Sequence, residues 1–456
     1  MTLLKLFGVL LLGGCAINPP PVKVEAPAAP QWYAPLPHNG RLTDLSLWWQ
    51  QQGDPLLVQW IEAGQTVSPT IASAAARIEQ ARFERVSTGA ALVPKVTGSA
   101  SASRDSASLG VPVGTTLTSL FQASWELDLY GANRVARDGA QAGLEGAQAL
   151  WHDARVSVAA EIANQYYSLR ACQQLQTVSA ADALSTAETA RLNQISASAG
   201  FTAPATAALA RAGAAEAAGR VTQQRAACDL NIKALVALTA IAEPDLRTQL
   251  AGATKVWPQV APIAIDLLPA DTLRQRPDVF SAERAVATAS AAVGSAQAAR
   301  YPSLTLSGSV GPGVFRHGGK YTNIGSWQIG PLAVSVPLYD AGLGAANVDN
   351  ARASYDEAVS IYRGKVRQAV REVEEALVNL DSTASRTDDA ATAVEGYRAS
   401  FVGTESRYRN GLANLVELEE ARRLRLSAEI ALVNLQQQRS TAWVALYRAA
   451  GGGWHP

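Results

Sequence analysis

Residues 359–380 read VSIYRGKVRQAVREVEEALVNL, and Val359, Tyr362, Val366, Ala369, Val373, Ala376 and Leu380 recur at spacings that alternate between three and four. That alternation is the seam of a coiled coil, one stripe of a helix facing a partner helix. Amphipathic helices of any bundle share it, so spacing alone leaves that alternative open. Proline narrows the choice: none occurs between Pro112 and Pro204, between Pro204 and Pro244, or between Pro337 and Pro456. A proline inside a helix removes a hydrogen bond and clashes with the preceding turn, so each clear stretch is free to be one very long helix or a helical hairpin. In the first half Val156, Ala159, Ala163, Tyr166 and Leu169/Arg170 draw a similar stripe. A continuous helix from Gly131 to Gly200 would be on the order of 100 Å long, a length without use in a compact globular domain.

The chain repeats itself. Val93-Pro94-Lys95 returns as Tyr301-Pro302-Ser303, Leu129-Tyr130-Gly131 as Leu338-Tyr339 followed by Gly342, Gly200 as Gly411, and Ala234-Leu235 as Ala445-Leu446, at offsets of 208, 209, 211 and 211 residues. Landmarks in one order at nearly one offset indicate a duplication. Each half reads helix, two strands, very long helix, reversal, long helix. The predicted first repeat covers 47–250, with strands 95–108 and 115–130 and a hairpin 131–242 turning near 200. After a linker at 251–270, the second covers 271–456, with strands 302–316 and 323–338 and a hairpin 341–450 turning near 411.

The strands alternate. Leu117, Phe121, Ala123, Trp125, Leu127 and Leu129 share one face, and Thr116, Thr118, Gln122, Ser124, Glu126 and Asp128 the other; Val96, Gly98, Ala100 and Ala102 alternate with Lys95, serine and threonine, and Leu304, Leu306, Gly308 and Val310 with serine and threonine. In Trp327–Leu338 the phase changes at Pro331, which suggests a bulge or an edge. One apolar and one polar face over about ten residues fits a transmembrane barrel strand and equally a soluble sandwich. With four strands and no apolar partner sheet, the barrel is favoured. Four strands cannot close a barrel, and an open edge cannot lie in lipid, so several chains must contribute to one.

The 456 residues are 48% hydrophobic and 17% charged, and 39 Lys and Arg balance 39 Asp and Glu. Nothing in that balance steers the chain to nucleic acid. Internally, no apolar run reaches the roughly 18 residues of a spanning helix. The start, Leu3–Leu12 with Lys5, then Gly13-Gly14-Cys15, resembles a lipoprotein signal over 1–14 with lipidation at Cys15; an ordinary signal peptide followed by a chance cysteine is the alternative. Ala16 after the cysteine favours sorting to the outer membrane. The prolines of 15–46 read as an extended tether, with folded sequence beginning near Leu47 and a helix start at Asp54-Pro55.

Ser124-Trp125-Glu126-Leu127-Asp128-Leu129-Tyr130-Gly131, Arg274-Gln275-Arg276-Pro277-Asp278-Val279, Tyr301-Pro302-Ser303-Leu304, Pro337-Leu338-Tyr339-Asp340-Ala341-Gly342, Tyr408-Arg409-Asn410-Gly411-Leu412 and Gly451-Gly452-Gly453-Trp454 resemble, in order, the landmarks of TolC-like outer membrane factors, especially the NodT-type lipoprotein subgroup of efflux channels. The resemblance spans about Leu47 to Trp454. It implies a homotrimer, mainly α with a transmembrane β part: a 12-stranded β-barrel in the outer membrane continuous with a 12-helix coiled-coil α-barrel. It also implies a passive exit duct for small toxic compounds in multidrug or metal resistance, paired with a periplasmic adaptor and an inner membrane pump, with no catalytic residues and no cofactor beyond the lipid on Cys15. Protein-secretion ducts share the fold, so a type I secretion duct is the alternative within the family. A structural coiled-coil envelope lipoprotein is the alternative outside it.

The resemblance puts the periplasmic tips at Gly200, with Phe201, and at Gly411. Where relatives often carry an aspartate after the second tip glycine, this chain has Ala413 beside Asn414. Tyr408 and Arg409 are then candidates to constrict the pore, or ordinary solvated tip residues. Cys172 and Cys228 lie 28 residues before and after Gly200, at about the same height in a hairpin turning there. They are either a disulfide or two buried small residues facing different neighbours. His38, His152, His317 and His455 have no metal-ligand spacing, and no nucleophile–base set is visible. Glu419-Glu420 and Arg422-Arg423 read as a solvated helix face, with contact to the adaptor as the alternative.

Overall fold

The computed structural model describes residues 17–27, 31–34, 47–105, 113–252, 257, 260, 262–263 and 269–454. Cys15, the expected signal segment 1–14 and most of the expected linker 251–270 lie outside the described residues. In chain order the elements are α1 (Trp48–Gln51), α2 (Pro55–Val67), α3 (Pro69–Ala90), β1 (Lys95–Asp105), β2 (Gly114–Leu127), α4 (Ala132–Ser198), α5 (Pro204–Thr239), α6 (Glu243–Gly252), α7 (Pro269–Arg274), α8 (Pro277–Ala298), β3 (Ser303–Gly311), β4 (Gly313–His317), β5 (Lys320–Asn323), β6 (Ser326–Ser335), α9 (Leu343–Arg409) and α10 (Leu415–Ala449). The two rods, α4 and α9, are 67 residues each. None of the described helices is long and apolar enough to cross a membrane.

The chain forms two compact units. A helical unit comprises Ala28–Ser73, Trp151–Pro277 and Val366–Pro456; a sheet unit comprises Met1–Pro27, Ala74–Leu150 and Asp278–Lys365. In the helical unit, Asp54 caps α2 by accepting from the Leu57 amide, with Pro55 at the first helical position, where its missing N–H costs nothing. The seam residues Val366, Ala369, Val373, Ala376 and Leu380 are buried together with Val156, Ala159, Ala163, Tyr166 and Leu169. Full burial of a valine or leucine contributes about 1.5–3 kcal/mol, while the alanines between them allow close approach of backbones. The rings of Trp48, Trp49 and Tyr447 close one end of this core at centroid distances of 4.5–4.9 Å. α6 was not anticipated; its Leu246 is fully buried in the same core.

In the sheet unit, β1 pairs antiparallel with β2 from Lys95↔Ser124 to Asp105↔Gly114. On its other side β2 pairs with β3 and then β4, while β6 lies along β3 and β5 along β4. The expected single strands 302–316 and 323–338 are therefore each two pieces. Pro312, which has no N–H to give a ladder, divides β3 from β4, and β5 begins at Lys320 because Gly318-Gly319 makes a two-residue turn with both φ positive. The sheet still amounts to four ribbons: β1, β2, β3/β4 and β5/β6. Gly330 and Pro331 together face Ser307, a bulge in the ladder where Leu306↔Leu332 gives way to Gly308↔Ile329. β2 stops at Leu127 rather than 130 because Asp128 turns to cap α4, accepting from the amides of Asn133 and Arg134. β6 stops at Ser335 rather than 338, and Asp340 caps α9 through the amides of Gly342 and Gly344.

The tether is pinned rather than free. In the sheet unit Gln297 brackets Asn18, donating to its carbonyl and accepting from its amide. The carbonyls of Pro20, Pro21 and Glu25 accept from Ser290, Tyr355 and Arg363. In the helical unit the Glu374 carboxylate accepts from the amides of Tyr33 and Ala34 at 2.7 and 2.8 Å, and Trp32 joins the core. Packed sequence thus begins before Leu47.

Candidate functional site

The register of the sheet collects its apolar side chains on one face. Val96, Leu117, Phe121 and Trp125 line up with Leu304, Leu306 and Val310 of β3, and these with Trp327, Ile329, Leu332 and Val334 of β6. The other face carries Thr97, Ser99, Ser101, Thr116, Thr118, Gln122, Ser124, Glu126, Thr305, Ser309 and Gln328, with Leu120 as the exception. The apolar face is open: Trp327 is 76% exposed and Ile329 84%. A contiguous apolar surface of this kind marks contact with lipid or another protein, and its alternation with a polar face is the pattern of a membrane barrel wall.

The second candidate region is the pair of reversals in the helical unit. α4 ends on Gly200 at φ +81°, with the Phe201 amide bonded to the Ser196 carbonyl and the Gly200 amide to that of Ala197. α9 ends in the same way on Gly411 at φ +73°, with Leu412 to Arg407 and Gly411 to Tyr408. This six-to-one and five-to-two pairing needs a left-handed residue, which glycine adopts without penalty. Pro204 then opens α5, and Asn414 opens α10 by a reciprocal capping box with Glu417. Asn414 is thus occupied as a cap, and Ala413, half-buried, places no carboxylate beside it. Phe201 and Leu412 at the turns are exposed.

Tyr408 and Arg409 differ. The Tyr408 hydroxyl accepts from the Asn193 amide at 2.7 Å, and its ring packs against Leu415 and Phe401, so it ties α9 to α4. Arg409 is exposed and paired with Glu405 within its own helix. Below the turns lies a polar layer not anticipated from sequence. Asp182 of α4, 1% exposed, pairs with Arg220 at 2.8 Å and faces Arg425 at 3.8 Å. The Arg425 guanidinium sits 4.1 Å from the Phe401 ring centroid. Arg422, expected on a solvated face, is 3% exposed and donates to Ser185 and Thr189 of α4 as well as to Glu419. Its neighbour Arg423 is exposed and pairs with Glu420, which is exposed too, as expected. Adjacent helical residues point about 100° apart, so the pair splits between core and water.

Cys172 on α4 and Cys228 on α5 are joined as a disulfide with Cα atoms 5.5 Å apart. No group of His, Cys, Asp or Glu among the described residues is arranged to hold a metal. His152 is partly buried in the helical unit, its basicity lowered by burial and then by Arg155. His317 bonds the Val113 carbonyl, and His38 and His455 lie outside the described residues. Burial, and then the hydrogen bond to Asp54, push the Tyr166 hydroxyl upward.

The sequence and the fold are similar to those of known proteins. Residues 60–240 and 268–452 match the family model described as outer membrane efflux protein. Nodulation protein T of Rhizobium leguminosarum bv. trifolii is 28% identical over 99% of this chain and 97% of its own length. The solvent efflux pump outer membrane protein SrpC of Pseudomonas putida is 28% identical over 99% and 98%. Among solved structures, the outer-membrane channel OprN superposes with a TM-score of 0.86 at 27% identity, covering 97% of this chain and 100% of that one. The Campylobacter jejuni CmeC channel superposes with 0.85 at 24%, covering 97% and 96%. The fold is that of the trimeric outer membrane channels, mainly helical with a transmembrane β part, as the resemblance implied. The chain belongs to the outer membrane efflux protein family and is an outer membrane channel component of an efflux system.

Proposed function

We propose that three copies of this chain form one passive duct, the outer membrane exit of a tripartite efflux system that discharges small toxic compounds. The observation that carries this reading is the sheet: four ribbons, apolar on one face, with unpaired edges at β1 and β5/β6. Unpaired backbone groups cannot lie in lipid, and three such sheets joined edge to edge make twelve strands with no edge left. The polar faces then line the pore. A duct needs no chemistry, and the energy comes from an inner membrane pump reached through a periplasmic adaptor. The cargo class follows relatives named for solvent and toluene efflux.

Cys15 carries the lipid in this reading. Ile17, where the described part of the tether begins, packs beside Gly131, which joins β2 to α4. The tips at Gly200 and Gly411 close the duct at rest, with the layer around Asp182 and Arg422 holding the two hairpins of a chain together. The Cys172–Cys228 bridge is present in the mature protein. In detergent the purified chain should run as a trimer and give single-channel steps in a planar bilayer. A water-soluble monomer, or a trimer that never conducts, would end this reading in favour of an envelope scaffold.

A further inference from the structure

All four ribbons of the sheet unit meet helices at one end. α3 enters β1 and α8 enters β3, while β2 leaves into α4 and β6 into α9; the opposite end carries the Gly318–Gly319 turn. At the helical end the rings of Tyr130 and Tyr301 stack at 4.9 Å, just beyond the last apolar pair, Leu127↔Leu304. Amphipathic rings at the rim of an apolar band mark the headgroup level of a bilayer. Beside the stack is a cavity of about 390 Å³ whose walls include Asn18, Gln297, Arg300, Tyr301, Asp349 and Arg352.

The charges in that cavity are unevenly used. The Arg300 guanidinium has no hydrogen bond or ion pair among the described residues. Asp340, the carboxylate whose charge acts with it, spends its oxygens on the amides of Gly342 and Gly344. Arg352 lies 3.9 Å from Asp349, beyond hydrogen-bond distance, so the donors of both guanidiniums and the acceptors of Asp349 are unspent. Two guanidinium forks suit a phosphate, and a carboxylate held only by that loose, exposed pair with Arg352 suits a cation attached to it.

We propose that this cavity binds the phosphoethanolamine headgroup of a phospholipid in the periplasmic leaflet of the outer membrane, with the phosphate on Arg300 and Arg352 and the ammonium on Asp349. The proposal rests on the reading that the apolar sheet face lies in that membrane. Phosphatidylglycerol offers the same phosphate but nothing for Asp349, and inorganic phosphate offers neither the ammonium nor acyl chains for the adjoining apolar face.

Native mass spectrometry of the delipidated full chain, given equal amounts of phosphatidylethanolamine and phosphatidylglycerol, tests this. Wild type should retain phosphatidylethanolamine over phosphatidylglycerol by about tenfold, the effect of one charge-assisted hydrogen bond. Arg300→Gln/Arg352→Gln should lose both lipids, and Asp349→Asn should keep binding but lose the preference. Equal retention by the double arginine variant, no preference in wild type, or displacement of the lipid by millimolar inorganic phosphate would each overturn the proposal. Conductance of the same double variant separates the two levels: normal steps with no lipid effect reject the site alone, whereas absent steps in wild type reject the membrane reading beneath it.

Discussion

The helical unit and the sheet unit use apolar side chains in opposite ways. Val373 and Leu377 are wholly buried, whereas Leu332 and Val334 are 59% and 64% exposed. The difference follows from the backbone. A helix satisfies its own amides and carbonyls, so its apolar stripe is free to seek another stripe in the same chain. A four-ribbon sheet still has two open edges and one apolar face, and neither is satisfied within the chain. The helical unit therefore has a core of its own, although Leu184, Leu230 and Val402 remain exposed on it, whereas the sheet has none and takes lipid and copies of itself as solvent.

Exchanging a charge into each region should separate them most sharply. Val373→Asp places an unpaired carboxylate in the helical core and should cost on the order of 3–5 kcal/mol, read as a large fall in the thermal midpoint of helicity in detergent. Little change there would mean the seam is not a core. Removing the bridge with Cys172→Ser should cost about 2–4 kcal/mol, as closing a loop with a sequence separation of 56 does. Two free thiols on titration of the denatured, unreduced wild type would exclude the bond. Leu332→Arg should leave the helical midpoint unchanged and cost about 2 kcal/mol per chain in membrane assembly, measured as trimer yield in vesicles. An equal drop in both readouts would erase the contrast.

The smallest effect concerns the junction. Hydrogen bonds from the Gly344 and Gly342 amides hold the Asp340 carboxyl below its ordinary 3.8. The folded state thus favours the ionised form, so its contribution is complete above pH about 4 and fades as pH falls through the lower folded value. Melting curves between about pH 5 and pH 2.5 should show a dependence that Asp340→Asn lacks; parallel curves would remove Asp340 from the account.

Much of this was legible in the chain. The missing prolines set the rods, the three-four spacing set the seam that Val366 and Val373 bury, and the alternation of β2 set a face. What stayed hidden depended on distant partners. Tyr408 finds Asn193 across a sequence separation of 215, and Arg422 finds Ser185 and Thr189 across more than 230. Neither pairing leaves a local pattern, and two adjacent arginines look equally solvated until a second helix covers one of them. Pro312 was visible, but its effect on pairing required knowing that β2 lay alongside. The pinned tether was unreadable for a different reason, since its contacts involve main-chain atoms.

That last feature has a consequence for how the segment can change. From Asn18 to Ala34 the hydrogen bonds to Gln297, Ser290, Tyr355, Arg363 and Glu374 are made by peptide groups. Apart from Trp32 and Ala34, which are buried in the core, the spelling of these described positions is therefore free as long as the peptide groups stay within reach of those partners. This stretch is tolerant ground for drift between relatives, and a natural place to write in a probe without disturbing the rest of the molecule.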